Sequence, residues 1–173
     1  IKSGKATVVP WPIYFSGIRG SRNFDRWQWP SIEHALWRLR GRVTWLAYHD
    51  VDEYFTPAEG GPTDVTIVDI LKSQEPQVIK EKIGSLQANS RFYVPEGNTT
   101  TDELLTQNWV QRLEPMDVKD WRCKQFVYTM HTNFTYHHFV LEPRFANATQ
   151  TTKKINDLVW LRHYRRQDIG GPK

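Results

Sequence analysis

Val43-Thr44-Trp45-Leu46-Ala47-Tyr48-His49-Asp50-Val51-Asp52-Glu53 is an apolar run that ends abruptly in three carboxylates. The apolar part reads as a buried strand. Just upstream, Pro30 stands where a first-turn proline belongs, and Ile32, Ala35, Leu36 and Leu39 recur at helical spacing until Gly41 closes the helix. A helix followed by a buried strand with acids at its carboxyl end is the layout of an α/β sheet, where ligands gather at the carboxyl ends of strands. The expected fold class is therefore α/β, a mixed sheet flanked by helices.

Outward from that stretch the elements are shorter. Ala6 to Phe15 is apolar but broken by Pro10 and Pro12, which suits an edge strand or strand-loop, and Ser16 to Arg26 reads as a polar loop. After the turn-rich Gly60-Gly61-Pro62, the pattern predicts a short helix over Val65 to Lys72, capped by Thr63 or Asp64. Ile83 to Val94 is extended, Asn98 to Thr101 a loop, and Glu103 to Arg112 helical. Three more strands are expected at Lys124–Thr129, Tyr136–Leu141 and Leu158–Leu161. No repeat or low-complexity tract divides the 173 residues, so they are read as one unit, 1–173. The opening at Ile1, close to the strand-like Ala6-Thr7-Val8-Val9, gives the expectation of an excised piece with further segments upstream.

Composition narrows the partners. A net charge of +4 and a pI near 9.2 favour anions. No Lys/Arg-rich run interleaved with aromatics matches a nucleic-acid module, so a small anion such as a nucleotide diphosphate is preferred to nucleic acid. Eight Trp, seven Tyr and eight Phe offer flat faces that suit sugar rings, although most belong to a core. Cys123 is the single cysteine, which excludes an internal disulfide and a cysteine zinc site. Sequons at Asn98, Asn133 and Asn147 exceed the roughly one expected by chance and point to a secretory lumen. No stretch is long and apolar enough to span a membrane.

The acidic motif carries the chemistry. On an extended backbone Asp50 and Asp52 would face the same way, roughly 6 to 7 Å apart at their Cα atoms, with Glu53 pointing elsewhere. Two crowded carboxylates repel unless a positive charge sits between them. A hard divalent cation, Mn²⁺ or Mg²⁺, suits carboxylate and water ligands. A solvated surface turn is the competing reading of a lone Asp-x-Asp.

Gln28-Trp29-Pro30-Ser31-Ile32-Glu33-His34-Ala35-Leu36, continuing to Trp45-Leu46 and to Asp50-Val51-Asp52-Glu53-Tyr54-Phe55-Thr56-Pro57, resembles glycosyltransferase family 92 and the neighbouring family-2-like transferases. Lys124-Gln125-Phe126-Val127 and Leu161-Arg162-His163-Tyr164-Arg165 agree, in the order the family carries them, and His138 falls where a Val-His pair usually stands. Phe92-Tyr93 departs from the family's Phe-Gly. The resemblance implies a GT-A fold whose upstream nucleotide-binding strands lie outside this chain. It further implies an inverting enzyme that moves a hexose, galactose foremost, from a UDP-sugar to a glycan acceptor. The location it suggests is the Golgi or secretory-pathway lumen, reached as a type II membrane protein through an upstream anchor.

On that resemblance Asp52 binds the metal, and Asp50 shares it or reaches the donor ribose. His163 is the distal metal ligand or a histidine packed at a strand end. Arg162 and Arg165 clamp the diphosphate, and Lys124 meets a phosphate or the acceptor, or is a strand lysine with a solvated head. An inverting transfer needs a base; Asp102 and Glu103 are the candidates, although Thr100 to Glu103 also fits a capping box. Glu53 is assigned a supporting or acceptor-positioning place. Two other functions remain open: a metal-dependent phosphohydrolase drawing on His131, His137 and His138, and a non-catalytic sugar-binding pseudo-transferase.

Overall fold

Strand β3 (Ser85–Val94) is the axis around which the other elements assemble. Its first half, Ser85 to Asn89, pairs antiparallel with β5 (Cys123–Tyr128), which pairs in turn with β1 (Trp45–Ala47). Its second half, Ser90 to Tyr93, runs parallel to β9 (Val159–Tyr164), and β9 pairs antiparallel with β2 (Glu53–Pro57). β8 (Thr152–Lys154) lies parallel to Ser85–Gln87, and β4 (Gln111–Arg112) pairs with Tyr93 and Val94. The path β1-β5-β3-β9-β2 is therefore a mixed sheet in two halves that share β3. β6 (Thr132–Thr135) and β7 (Val140–Pro143) form a separate antiparallel pair. The computed structural model describes residues 24–50, 52–60, 64–94, 111–112, 123–135, 140–144 and 151–164.

Helix α2 (Ile67–Glu81) covers one face of the sheet. Thr66 caps it: its hydroxyl accepts the Asp69 N–H while the Asp69 carboxylate accepts the Thr66 N–H, so two otherwise orphaned donors are satisfied reciprocally. Ile70, Leu71 and Val78 pack onto Ile83, Leu86, Ala88, Phe126, Tyr128, Ile155 and Val159 to make the core. Lys82, in the left-handed conformation with φ of 56°, ends the helix. Helix α1 (Phe24–Leu39) buries Ile32 and Leu36 and is tied to β6. Glu33 Oε1 accepts the Thr135 N–H at 2.6 Å, and the Arg40 guanidinium donates to the Thr132 carbonyl. Burial is the main reason the Glu33 carboxyl sits above its usual range. Gly41, at φ of 76°, follows α1 as expected.

The α/β class, the mixed sheet and its flanking helices agree with the reading of the sequence, as do the extended 83–94 segment and the strands near 124 and 158. Several particulars differ. The run from Val43 to Tyr48 is not a buried strand: β1 has three residues and lies at the sheet edge, with Thr44 and Ala47 exposed. Its apolar side chains are used sideways, Trp45 against Tyr128 with ring centroids 5.0 Å apart and Tyr48 against α1. Both helices run through a proline: α1 begins at Phe24, upstream of Pro30, and α2 continues past the expected end at Lys72 and through Pro76 to Glu81. A proline removes one hydrogen bond, and buried residues beyond it hold each helix together. The α2 cap is Thr66, not Thr63 or Asp64. Gln111 and Arg112, expected in a helix, form β4; of the strand expected at 136–141, Val140 and Leu141 lie in β7, and 136–139 fall outside the described residues. The expectations for 1–23 and for 98–101 lie outside the described residues.

Candidate functional site

The acidic motif is the connection between the two halves of the sheet. β1 leaves one edge, and residues 48–52 carry the chain to β2 at the opposite edge. Its start is anchored by Tyr48, whose hydroxyl donates to the Ile32 carbonyl at 3.1 Å. Burial, with the Glu33 carboxylate adding to it, raises the Tyr48 phenol pKa and keeps that donor protonated.

The motif is a turn, not the extended strand expected of it. The Glu53 N–H donates to the Asp50 carbonyl at 3.1 Å, and the Asp50 N–H donates to Glu53 Oε2 at 2.9 Å. Asp50 and Asp52 are therefore not strand neighbours at i and i+2. The carboxylates that converge are Asp50 and Glu53, and a side chain from β5 joins them. Lys124 Nζ lies 2.8 Å from Asp50 Oδ2 and 3.2 Å from Glu53 Oε2. The Lys124 and Glu53 side chains are 5% and 3% exposed, whereas Asp50 is 45% exposed. A buried ammonium between two carboxylates answers the repulsion that the sequence assigned to a metal. Neither Glu53 as a residue pointing elsewhere nor Lys124 as a solvated strand lysine describes this arrangement.

Asp52 is tied to a different strand through its backbone. Its carbonyl accepts the Tyr164 N–H at 2.9 Å, which adds one rung to the β2–β9 ladder. Asp52 is thereby joined to the end of β9, beside the strand pair that carries Tyr54 and Arg162. The same rung makes Glu53 and His163 a non-hydrogen-bonded pair, the closer antiparallel arrangement, with Cα atoms about 4.5 Å apart. His163 also pairs in register with Phe92, so its backbone lies beside the motif.

The face that carries Tyr54 is aromatic and cationic. Tyr164 meets Tyr54 edge-on with centroids 5.7 Å apart and stacks on Tyr93 at 5.2 Å. The Arg162 guanidinium stands 5.3 Å over the Tyr93 ring, and Arg91 stands 5.2 Å over Trp160. Arg162 Nε donates to Thr56 Oγ1 at 3.1 Å, and its Nη2 lies 3.6 Å from Glu59 Oε1. Tyr54 is 46% exposed, so this face is open to a ligand at one end.

A model of Glycosyltransferase family 92 matches residues 1–171. The chain belongs to glycosyltransferase family 92. Membership implies glycosyltransferase activity. Among curated proteins none matches the chain.

Of the candidates named from sequence, the structure brings together Asp50, Glu53 and Lys124 through their side chains, and sets the backbone of Glu53 opposite that of His163. Arg162 lies on β9 two residues before Tyr164, the backbone partner of Asp52. Asp102, Glu103 and Arg165 fall outside the described residues, as do His137 and His138. His131 is buried, with Nδ1 3.1 Å from the Ile83 carbonyl and its ring against Tyr128, the setting of a core histidine. Arg91, Tyr93 and Trp160 were not singled out in the sequence. The available signal was the alternation in Arg91-Phe92-Tyr93, which sets Arg91 and Tyr93 on one face.

Proposed function

We propose that this family 92 member transfers a hexose, galactose foremost, from a UDP-sugar to a hydroxyl of a glycan acceptor, with inversion and with a divalent cation. The observation that carries the reading is the backbone bond between Asp52 and Tyr164, which puts one acid at the end of the strand that carries the Arg162 guanidinium, beside the exposed Tyr54. A diphosphate leaving group needs positive charge, and a sugar needs a flat apolar surface with polar edges.

Mn²⁺ or Mg²⁺ fits an open site here better than a closed cage. Among the described residues no three His, Cys, Asp or Glu side chains form a group able to hold a metal. Such cations, however, keep several waters and bind through one or two carboxylates together with substrate phosphates. Asp52 would supply the first carboxylate; the exposed side of Asp50, already engaged by Lys124, and His163 are the further candidates. When bound, the cation would neutralise charge on the departing diphosphate.

The remaining steps belong to side chains of this protein. Arg162, with Arg165, holds phosphate oxygens in its planar fork. Lys124 keeps Asp50 and Glu53 fixed, so the motif is preset before donor arrives. The acceptor hydroxyl oxygen forms the new bond to the anomeric carbon from the face opposite the diphosphate. The bond from that carbon to the diphosphate oxygen breaks with its electron pair, and UDP leaves. The hydroxyl proton passes to a carboxylate, with Asp102 and Glu103 the candidates. A secretory setting, Golgi or similar lumen with an anchor upstream, is supported by the three sequons. Among the described residues no helix is long and apolar enough to cross a membrane.

Donor hydrolysis by the full-length protein across a panel of UDP-sugars, with and without Mn²⁺, tests this. Turnover of UDP-galactose that requires Mn²⁺ and vanishes in Asp52→Ala is expected. Release of phosphate from simple esters, or unaltered turnover in Asp52→Ala, would contradict it.

A further inference from the structure

Arg91 and Arg162 are register partners on adjacent parallel strands, β3 and β9, so two guanidinium-bearing residues lie side by side on one face of the sheet. Like charges placed directly across a strand pair repel. Arg162 is committed to Thr56, Glu59 and the Tyr93 ring. Arg91 is different. Its guanidinium stands over Trp160, its Nε is buried without a hydrogen-bond partner, and among the described residues it makes no ion pair. Glu59, 53% exposed, reaches Arg162. A cationic fork held on a tryptophan, next to a second fork already fixed in orientation, is suited to an oxyanion with several oxygens.

We infer that Arg91 is the second arm of the diphosphate site, which binds the phosphate oxygens of the nucleotide together with Arg162. The inference rests on the UDP-sugar reading above and adds to it a residue that the sequence motifs do not contain. Trp160 and Tyr93 serve as platforms that keep both forks flat against the sheet, and Glu59 restrains Arg162 when no anion is present.

The test is binding of UDP, inorganic pyrophosphate and uridine, each measured by calorimetry or ligand-observed NMR on the full chain and its variants. Arg91→Met retains an unbranched chain over Trp160 and removes the fork; Arg91→Lys retains charge without the fork. Arg91→Met should weaken UDP and pyrophosphate by about tenfold to a hundredfold while leaving uridine unchanged. Arg91→Lys should fall between Arg91→Met and the parent. Equal UDP affinity in the parent and Arg91→Met overturns the role of Arg91 and leaves the UDP-sugar reading standing. Equal loss of uridine and UDP also overturns it, since that is the mark of a damaged fold. If pyrophosphate binding depends on Arg91 but uridine adds no affinity, the oxyanion site stands and the uridine-nucleotide donor falls.

Discussion

Lys124 contributes the one buried ammonium that two motif carboxylates share, and its energetics differ from those of a surface pair. Lys124 and Glu53 are almost fully enclosed, so neither charge is hydrated well enough to stand alone. Removing one partner leaves the other buried and uncompensated. Lys124→Met should therefore lower unfolding free energy by about 3–5 kcal/mol, measured by urea denaturation. Adding Glu53→Gln to that variant should recover part of the loss, because the uncompensated charge goes with it. A Lys124→Met protein as stable as the parent would mean that the triad does not hold the motif. At this same scale the sequence was half legible. Asp50, Asp52 and Glu53 announce themselves as a cluster, but which of them pairs with what depends on a turn bond and a lysine 71 positions after Glu53. Local spacing carries no trace of such a partner.

Among the elements, helices and central strands were readable because their signals are local, whereas edges were not. Ile83 to Val94 was legible as β3 because Leu86 and Ala88 sit among small or short residues that a buried strand tolerates. β1 and β2 were misread or missed because half-buried edge strands lack that signature: an apolar run suggested a core strand, and the Glu-Tyr-Phe-Thr-Pro of β2 looked like motif flank. The cap of α2 was displaced for another reason. Thr63, Asp64 and Thr66 all have capping side chains, and only the Asp69 carboxylate three residues on selects Thr66. That selection is testable. Thr66→Ala should cost about 1 kcal/mol and lower the melting temperature. The Asp69 carboxyl lies below its usual range because the Thr66 hydroxyl and N–H both donate to it, so the cap is intact above the ordinary carboxylate range and weakens as pH falls through the lowered value.

Across the whole molecule, two buried groups give stability opposite slopes with pH. Burial lowers the pKa of His131 from its ordinary 6.5, so the unfolded chain binds a proton that the native state refuses. The His131 contribution is complete above about pH 6.5 and is lost as pH falls through that value towards the lowered one. Glu33 behaves in the reverse sense. Its raised pKa means that the native state holds a proton longer, and stability declines as pH rises from 4.5 towards the raised value. His131→Gln should flatten the acid limb of a stability–pH curve, and Glu33→Gln should raise stability more at pH 8 than at pH 4. In the proposed function the motif is divided: Asp50 and Glu53 are held by Lys124, while Asp52 is the first carboxylate offered to the ligand. Manganese EPR of Mn²⁺ with UDP, titrated with parent protein and with Asp52→Asn of matched melting temperature, tests that division most directly. The account predicts a protein-bound Mn²⁺–UDP signal that is lost in Asp52→Asn. An undiminished signal in that variant would contradict it.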